Sequence, residues 1–576
     1  MTCTEYWFGI CFVPVEATES VFGFGEFISA LALLVIVYTV TDVRYRFRLA
    51  IAPLKLFRLT YLLIAVIGFG ILLTDIWSAQ GWLVPATVIS LPVWDGMFAA
   101  LFLVLVMSWM YHAFIHPPIF GRRNYKQYGQ TLYQFILKGS DAELPIIAHE
   151  LAQSVKPLVR LAGDLPRVAN QGKQKPHAEG YAHDILLMIA NRKFCRHVAA
   201  SSPVTAIRFL QELSDTRKFY IPLGLFVRNV STEAIVNTDS LLYHEDEPYE
   251  SGLLGRIKPF SQAFYGDYEL VEGLGGHSPL DIHYEIAWSW NAKQFETYCR
   301  AVTMTWESYL KSGHWYEHSF TLFRAFGEIK EATGRAISEI DAAPDKYVGE
   351  PHARLRTGVR FLERAIELVS EQKELLRPIT LRLRTKAERR PRETFYDHIA
   401  NAMFDVIHHA AFISGPPQFA WSIHHNAVWS HFFEHPQESQ AWKIVRFKLR
   451  RRLYDEIQRM EELPNYQGAR ILGICLSVMG IKRGRPPGGY AREHYALKRA
   501  VLNWTERNYL RLREVNPDIA DACLIGGITY DAENKRLVRT YLKGLSREIP
   551  RDYLPLKDPP PSDSDPAGEP AEIVGR

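Results

Sequence analysis

Residues 21–48, VFGFGEFISALALLVIVYTVTDVRYRFR, set an apolar run against an abrupt cluster of arginines. Arg44 is the first basic residue of the chain. Arg46, Arg48, Lys55 and Arg58 follow closely, and then no Lys or Arg appears before Arg122 and Arg123. Two further apolar runs, 59–76 and 93–115, fill that base-free gap. A helix of roughly 20 apolar residues crosses about 30 Å of hydrocarbon. Three crossings are therefore expected, at about 21–41, 59–76 and 93–115.

The bases assign the sides. Basic residues concentrate in cytoplasmic loops of membrane proteins. The gap after the first run is basic, the gap at 77–92 has none, and the stretch after the third run opens with Arg122, Arg123 and Lys126. The expected topology has the N-terminus outside and the C-terminal part cytoplasmic, in the cell (inner or plasma) membrane. Trp77, Trp82 and Trp94 then fall at the outer interface, with Trp109 and Tyr111 toward the inner one, as interfacial aromatics do. The alternative of a cleaved signal peptide lacks the positively charged n-region such a segment carries.

Three carboxylates mark the outer ends of the spans: Glu26, Asp75 and Asp95. Acids in or near hydrocarbon are costly and often functional. Repeated around a homo-oligomer they would ring the outer mouth of a cation pore. The plainer reading is that they reach interfacial water, with Asp95 favoured at a helix N-terminus. Between the second and third runs, Trp82-Leu-Val-Pro-Ala-Thr-Val-Ile-Ser-Leu91 is too short to cross and reads as a re-entrant segment or a surface loop.

The expected fold is mainly α. A three-helix transmembrane region (1–121) precedes a cytoplasmic α+β region (122–300), a cytoplasmic α-helical region (301–557) and a disordered tail (558–576). Helices are expected around 144–155, 181–198 and 204–213. Two more are expected between Thr394 and Phe433, split at Gly415-Pro-Pro417. The apolar, turn-punctuated stretch from Phe219 suggests short strands and loops over about 218–280. Ile528 to Tyr541 reads as a hairpin with a polar turn. The Pro- and Ser-rich tail cannot build a core.

The formal net charge of +4 over 576 residues is too small to argue for specific nucleic-acid binding. Cys195, Cys299, Cys475 and Cys523 are expected to be reduced on the cytoplasmic side. Cys3 and Cys11 lie outside in this topology and are free to pair. No Walker-type phosphate loop is present, and Gly273-Leu-Gly-Gly lacks the full dinucleotide spacing.

Histidine supplies the candidate chemistry. His398, His408, His409, His424, His425, His431 and His435 crowd one segment of a chain with 20 histidines. His431-Phe-Phe-Glu434-His435 matches an inverted zinc pattern, His-x-x-Glu-His. One helical turn apart, His431 and His435 would reach one zinc ion, and Glu434 would act as the base for its bound water. A third ligand would come from elsewhere, with Glu438, His424 and His425 nearby. Against this, Pro436 follows immediately, and a lone motif of this size arises easily by chance. The alternative is that these histidines are packed groups among Phe412, Phe419, Trp421, Trp429 and Phe432. His112 and His116 share a face at the end of the third run. The acidic loop His244–Glu250 lacks the spacing of a calcium loop.

The leading functional expectation is a lipid-embedded, homo-oligomeric protein without enzymatic activity. Its helical domain would sense a cytoplasmic protein or small molecule and act on the spans, which in the narrower version form a cation-conducting pore. The alternatives are a membrane-tethered metal hydrolase using His431, Glu434 and His435, and a non-conducting anchor or scaffold.

Overall fold

The computed structural model describes residues 5–7, 10–14, 22–40, 42–53, 56–85, 91–163, 177–245, 258–313, 317–343, 348–372, 394–434, 439–484, 489–541 and 549–558. They form two compact units, residues 1–264 with 277–279, and residues 265–276 with 280–576. Position 300, the expected division, lies within a continuous helix, Ala292–Lys311.

In the first unit, strands β1 (Glu5–Trp7) and β2 (Ile10–Pro14) pair antiparallel. β2 also pairs with β3 (Leu83–Pro85), setting Phe12 opposite Pro85. The short apolar run at 82–91 thus begins as a strand; residues 86–90 lie outside the described residues. Helices α1 (Phe24–Val40), α3 (Leu56–Ala79) and α4 (Leu91–Met110) carry the three apolar runs. Two segments, Arg58–Ala79 and Val93–Ile115, are long and apolar enough to cross a membrane. α1 has 17 residues and spans about 26 Å at 1.5 Å per residue, short of the roughly 30 Å of hydrocarbon. The described structure therefore establishes two candidate spans where the sequence suggests three.

These helices meet through Phe27, Ile67, Ile71 and Phe102, which are buried together. Their other faces stay apolar and exposed, as at Leu33, Leu62, Val66, Phe69, Leu103 and Val104. Such all-round apolarity suits helices solvated by lipid. Between α1 and α3 lies the short helix α2 (Val43–Ala50), which carries the arginines.

Helices α5 (Tyr125–Lys138), α6 (Glu143–Leu151) and α7 (Val155–Leu161) follow. After them come α8 (Ala178–Met188), α9 (Arg192–Ser201), α10 (Pro203–Thr216) and α11 (Gly224–Val236). The helix expected over 181–198 is two helices. Asn191 ends the first pattern because its side chain accepts the Phe194 N–H and caps α9.

The β-rich expectation for 218–280 is corrected: among the described residues of that stretch there is no strand. Its apolar core is α11, buried from Gly224 to Ile235 on nearly every side, including Asn229, Ser231, Thr232 and Glu233. A helix enclosed all round has no polar stripe, so its sequence reads like a buried strand.

The second unit opens with α13 (Tyr268–Gly273), after α12 (Pro259–Tyr265) closes the first. It then layers α14 (Ala292–Lys311), α15 (Phe320–Ala342), α16 (Glu350–Glu371) and α17 (Phe395–Ala410). Both α14 and α15 pack on α16, and α17 packs on α15. Gly358 permits the α15–α16 approach, since a Cβ there would overlap the Thr333 hydroxyl. After Gly415-Pro-Pro417 the chain resumes as α18 (Pro417–Trp421), a π-helical stretch (Ser422–Trp429) and α19 (Ser430–Phe433). Helices α20 (Gln440–Arg459), α21 (Tyr466–Met479), α22 (Gly489–Val515) and α23 (Pro517–Ala522) complete the helical part. The expected hairpin is present as β4 (Ile528–Asp531) and β5 (Arg536–Thr540). A third strand, β6 (Arg551–Pro555), extends it.

Candidate functional site

The first candidate site is where α2 meets α6. Arg48 lies between two elements far apart in sequence. Its Nε and Nη2 donate to the two Glu150 oxygens at 2.7 and 2.8 Å, and its Nη1 donates to the Ala113 carbonyl at 2.8 Å. Arg44 approaches the same carboxylate at 3.3 Å, and Arg46 faces Glu143 at 3.7 Å. The Arg48 and Glu150 side chains are 11% and 3% exposed, so this bidentate pair is held out of water, where charge-assisted bonds are strongest. The same α2 buries Phe47 edge-on against Tyr128 and Phe135 of α5. Asn124 closes the corner, donating to the Ile51 and Ile119 carbonyls.

Sequence reasoning took these arginines as markers of sidedness and passed over Glu150. The available signal was a lone acid within the apolar helix Leu144–Leu151. A buried carboxylate needs partners, and clustered arginines are the obvious supply.

Glu26, Asp75 and Asp95 are built into the packing of α1, α3 and α4. Glu26 accepts the Gly23 N–H and Asp75 accepts the Phe24 N–H, each at 3.0 Å. Both thereby serve the unsatisfied amides that begin α1. Asp95 is buried and accepts the Thr74 hydroxyl at 3.3 Å. Between α1 and α4, with Tyr45 and Leu49 of α2, is a cleft of about 560 Å³ whose lining is almost wholly apolar. It offers nothing to orient a polar ligand.

The histidines of the second unit disperse. His424 is fully buried, with Nε2 3.0 Å from the Ala410 carbonyl. His425 stacks on Trp421 at 4.7 Å and lies 3.4 Å from Glu434. His431 meets Glu363 of α16 through Nδ1 at 2.9 Å. That contact leaves Nε2 oriented as in a metal-ligating histidine. His408 packs edge-on to Phe412, His398 on Phe323, and His409 beside Gly334. Glu434 and His431 are thus placed by different partners. Among the described residues no group of three or more His, Cys, Asp or Glu is arranged to hold a metal ion. His435 and Glu438 lie outside the described residues. In the first unit, His112 and His116 flank Tyr111, with His116 stacked on it. Of the acidic loop, Glu245 is described. It caps α12 by accepting from the Phe260 and Ser261 amides and the Ser261 hydroxyl. The four described cysteines are buried and free, and burial pushes the Cys475 and Cys523 thiols up to about 12.

No family model and no curated protein matches this chain. A solved structure of an engineered protein is similar over 69% of this chain and 94% of its own, at 11% identity and a TM-score of 0.20. A likeness that slight carries no argument about fold or function.

Burial pushes the His424 imidazole down to about 4, despite the Ala410 and Ile413 carbonyls that favour its charged form. Unfolded, the ring titrates near 6.5. The unfolded state therefore takes up the proton first as pH falls. Stability from this residue is complete above pH 6.5 and is lost down to about pH 4, a total of about 3 kcal/mol. Denaturant titrations across that range should show a steeper loss in the native protein than in His424→Gln. Parallel pH profiles would refute the assignment.

Proposed function

We propose that this chain is an integral membrane protein whose helical part binds a cytoplasmic ligand and passes the event to the spans through the Arg48–Glu150 junction. In this reading α1, α3 and α4 all cross the bilayer, with α1 thinning the membrane locally or tilting little, as a short span does. The N-terminus is outside and the residues after 121 are cytoplasmic. The observation that supports it is the triple engagement of Arg48. One guanidinium joins the arginine-bearing helix α2, the end of the Val93–Ile115 segment at Ala113, and the buried Glu150 of α6. A displacement of α6 is thereby linked to the base of that segment by strong directional bonds rather than by a loose tether.

The conducting version, with Glu26, Asp75 and Asp95 at an outer mouth, has weaker support. Two of those acids hold the start of α1, and the third is buried against Thr74. The anchor reading shares the topology but requires no coupling.

An odd number of crossings puts the termini on opposite sides. An impermeant protease applied to intact cells should remove an N-terminal epitope and spare a C-terminal one. The same fate for both epitopes, as two crossings require, overturns the three-span arrangement.

A further inference from the structure

At the end of α21, three polar side chains close on the backbone at a glycine. Gly480 follows α21 with φ +75°. A methyl group there would lie 3.3 Å from Arg539 Nη1, 3.8 Å from the Tyr541 hydroxyl and 4.0 Å from Lys498 Nζ. Arg539 comes from β5, Lys498 from α22, and Tyr541 from just beyond β5.

The charges there are poorly matched. Arg539 is 6% exposed, a depth at which a guanidinium ordinarily has a carboxylate. The β5–β6 register sets Asp552 directly opposite it. Asp552 instead accepts the Tyr541 hydroxyl at 2.7 Å. Arg539 is left with a long bond to the Leu476 carbonyl, 3.5 Å, and the face of the Tyr541 ring, 4.7 Å away. Among the described residues, neither Arg539 nor Lys498 closes an ion pair. Burial holds both below the ordinary range of their kind, and the charge of Arg539 lowers Lys498 further. The end of α21 offers about half a negative charge, and Asp552 acts from a distance on both Lys498 and Arg539. Those account for part of the mismatch, and they supply no direct anionic partner at the convergence point.

We propose that this corner binds a phosphate group, held by Arg539 and Lys498 over Gly480. Phosphate fits the two cationic donors, a planar guanidinium fork and a point-charge ammonium, both close to one small region; the Tyr541 proton stays with Asp552. Glycine is required here by its φ of +75°, and a side chain would also press on the Arg539 guanidinium. Lys482, two residues further on, is exposed and adds to the local positive charge. The group is either free, as inorganic phosphate or a soluble monoester, or the headgroup of an acidic lipid. The inference stands apart from the membrane coupling proposed above, since it requires neither the number of spans nor the Arg48 junction.

The test uses the full chain in detergent and in nanodiscs. Inorganic phosphate is titrated in detergent while the unfolding midpoint and the binding heat are followed. Nanodiscs of phosphatidylcholine, with and without phosphatidic acid, are compared for the same midpoint. Saturable stabilisation is expected from phosphate if the ligand is soluble, or from phosphatidic acid alone if it is a headgroup. Lys498→Met should weaken that response about 10- to 100-fold, the effect of losing one charged hydrogen bond. Lys498→Glu provides the missing carboxylate. It should raise the midpoint without ligand and abolish the response, which separates ligand loss from misfolding. No saturable response from either source, or equal responses in the native protein and Lys498→Glu, overturns the proposal.

Discussion

Glu150→Ala should destabilise the folded first unit by about 3–5 kcal/mol, the range for removing one partner of a buried ion pair. Arg48 is 11% exposed and would keep its charge, its bond to the Ala113 carbonyl and no counter-ion. Arg44 adds little to this figure, because its side chain is 38% exposed and such pairs are worth about 0–1 kcal/mol. The decisive comparison is the double variant Arg48→Met, Glu150→Leu. Replacing both charges by apolar groups of similar size is often neutral, so much of the stability should return. Urea unfolding of the detergent-solubilised full chain reads the free energies. Proteolysis after α2 reads whether the junction has opened. If Glu150→Ala loses no more than about 1 kcal/mol, the pair behaves as a surface bridge and cannot transmit movement between α6 and the end of α4. If the double variant is as unstable as the single one, packing rather than charge holds the junction.

The second large effect is at Trp442, in the first turn of α20 and fully buried. Trp442→Ala should lose about 3–5 kcal/mol from transfer and cavity terms together. The guanidinium of Arg446 sits 5.0 Å from its ring and donates through Nε to the Phe432 carbonyl at 3.1 Å. Arg446 is itself 2% exposed, so it loses a desolvated cation–π contact worth up to about 2 kcal/mol, an amount that overlaps with the cavity term. The consequence should reach the histidine segment, because Phe432 lies between His431 and Glu434. Faster amide exchange at 430–434 is expected in Trp442→Ala, and less of it in Trp442→Phe, which keeps an aromatic face beneath the guanidinium. Trp288→Ala serves as the control, at a side chain 53% exposed. Equal losses at the two positions would show that burial of Trp442 does not set its energetic weight.

Much of the helical architecture was legible because it depends on local patterns. The run after Leu59 and the run after Val93 needed only length and apolarity. The break at Gly415-Pro-Pro417 needed only the backbone limits of proline. The hairpin at 528–540 announced itself by two short β-prone stretches around a polar turn. The misread stretch at 218–280 failed for a definite reason. Period is visible only when one face is wet, and α11 is enclosed on nearly all of its surface. The first apolar run, expected as a span over 21–41, forms the helix Phe24–Val40, shorter than the other two.

The candidate sites were less legible. The histidine pattern at 431–435 is a statement about spacing along one helix. Which oxygen or ring each imidazole meets is set by other elements: Glu363 from α16 for His431, Ala410 from α17 for His424, Trp421 for His425. Asp552 illustrates the converse. Strand register places it opposite Arg539, and the two nonetheless take different partners.

By itself the sequence determined that the chain is mainly helical, where its long apolar helices lie, and where its hairpin turns, because these follow from near-neighbour sterics and the period of hydrophobicity. Tertiary structure alone decided that Arg48 belongs to Glu150, 102 residues away, and that Arg539 and Lys498 meet over Gly480. A buried charge takes its partner from whichever helix packing brings within reach, and that choice has no period to read along the chain.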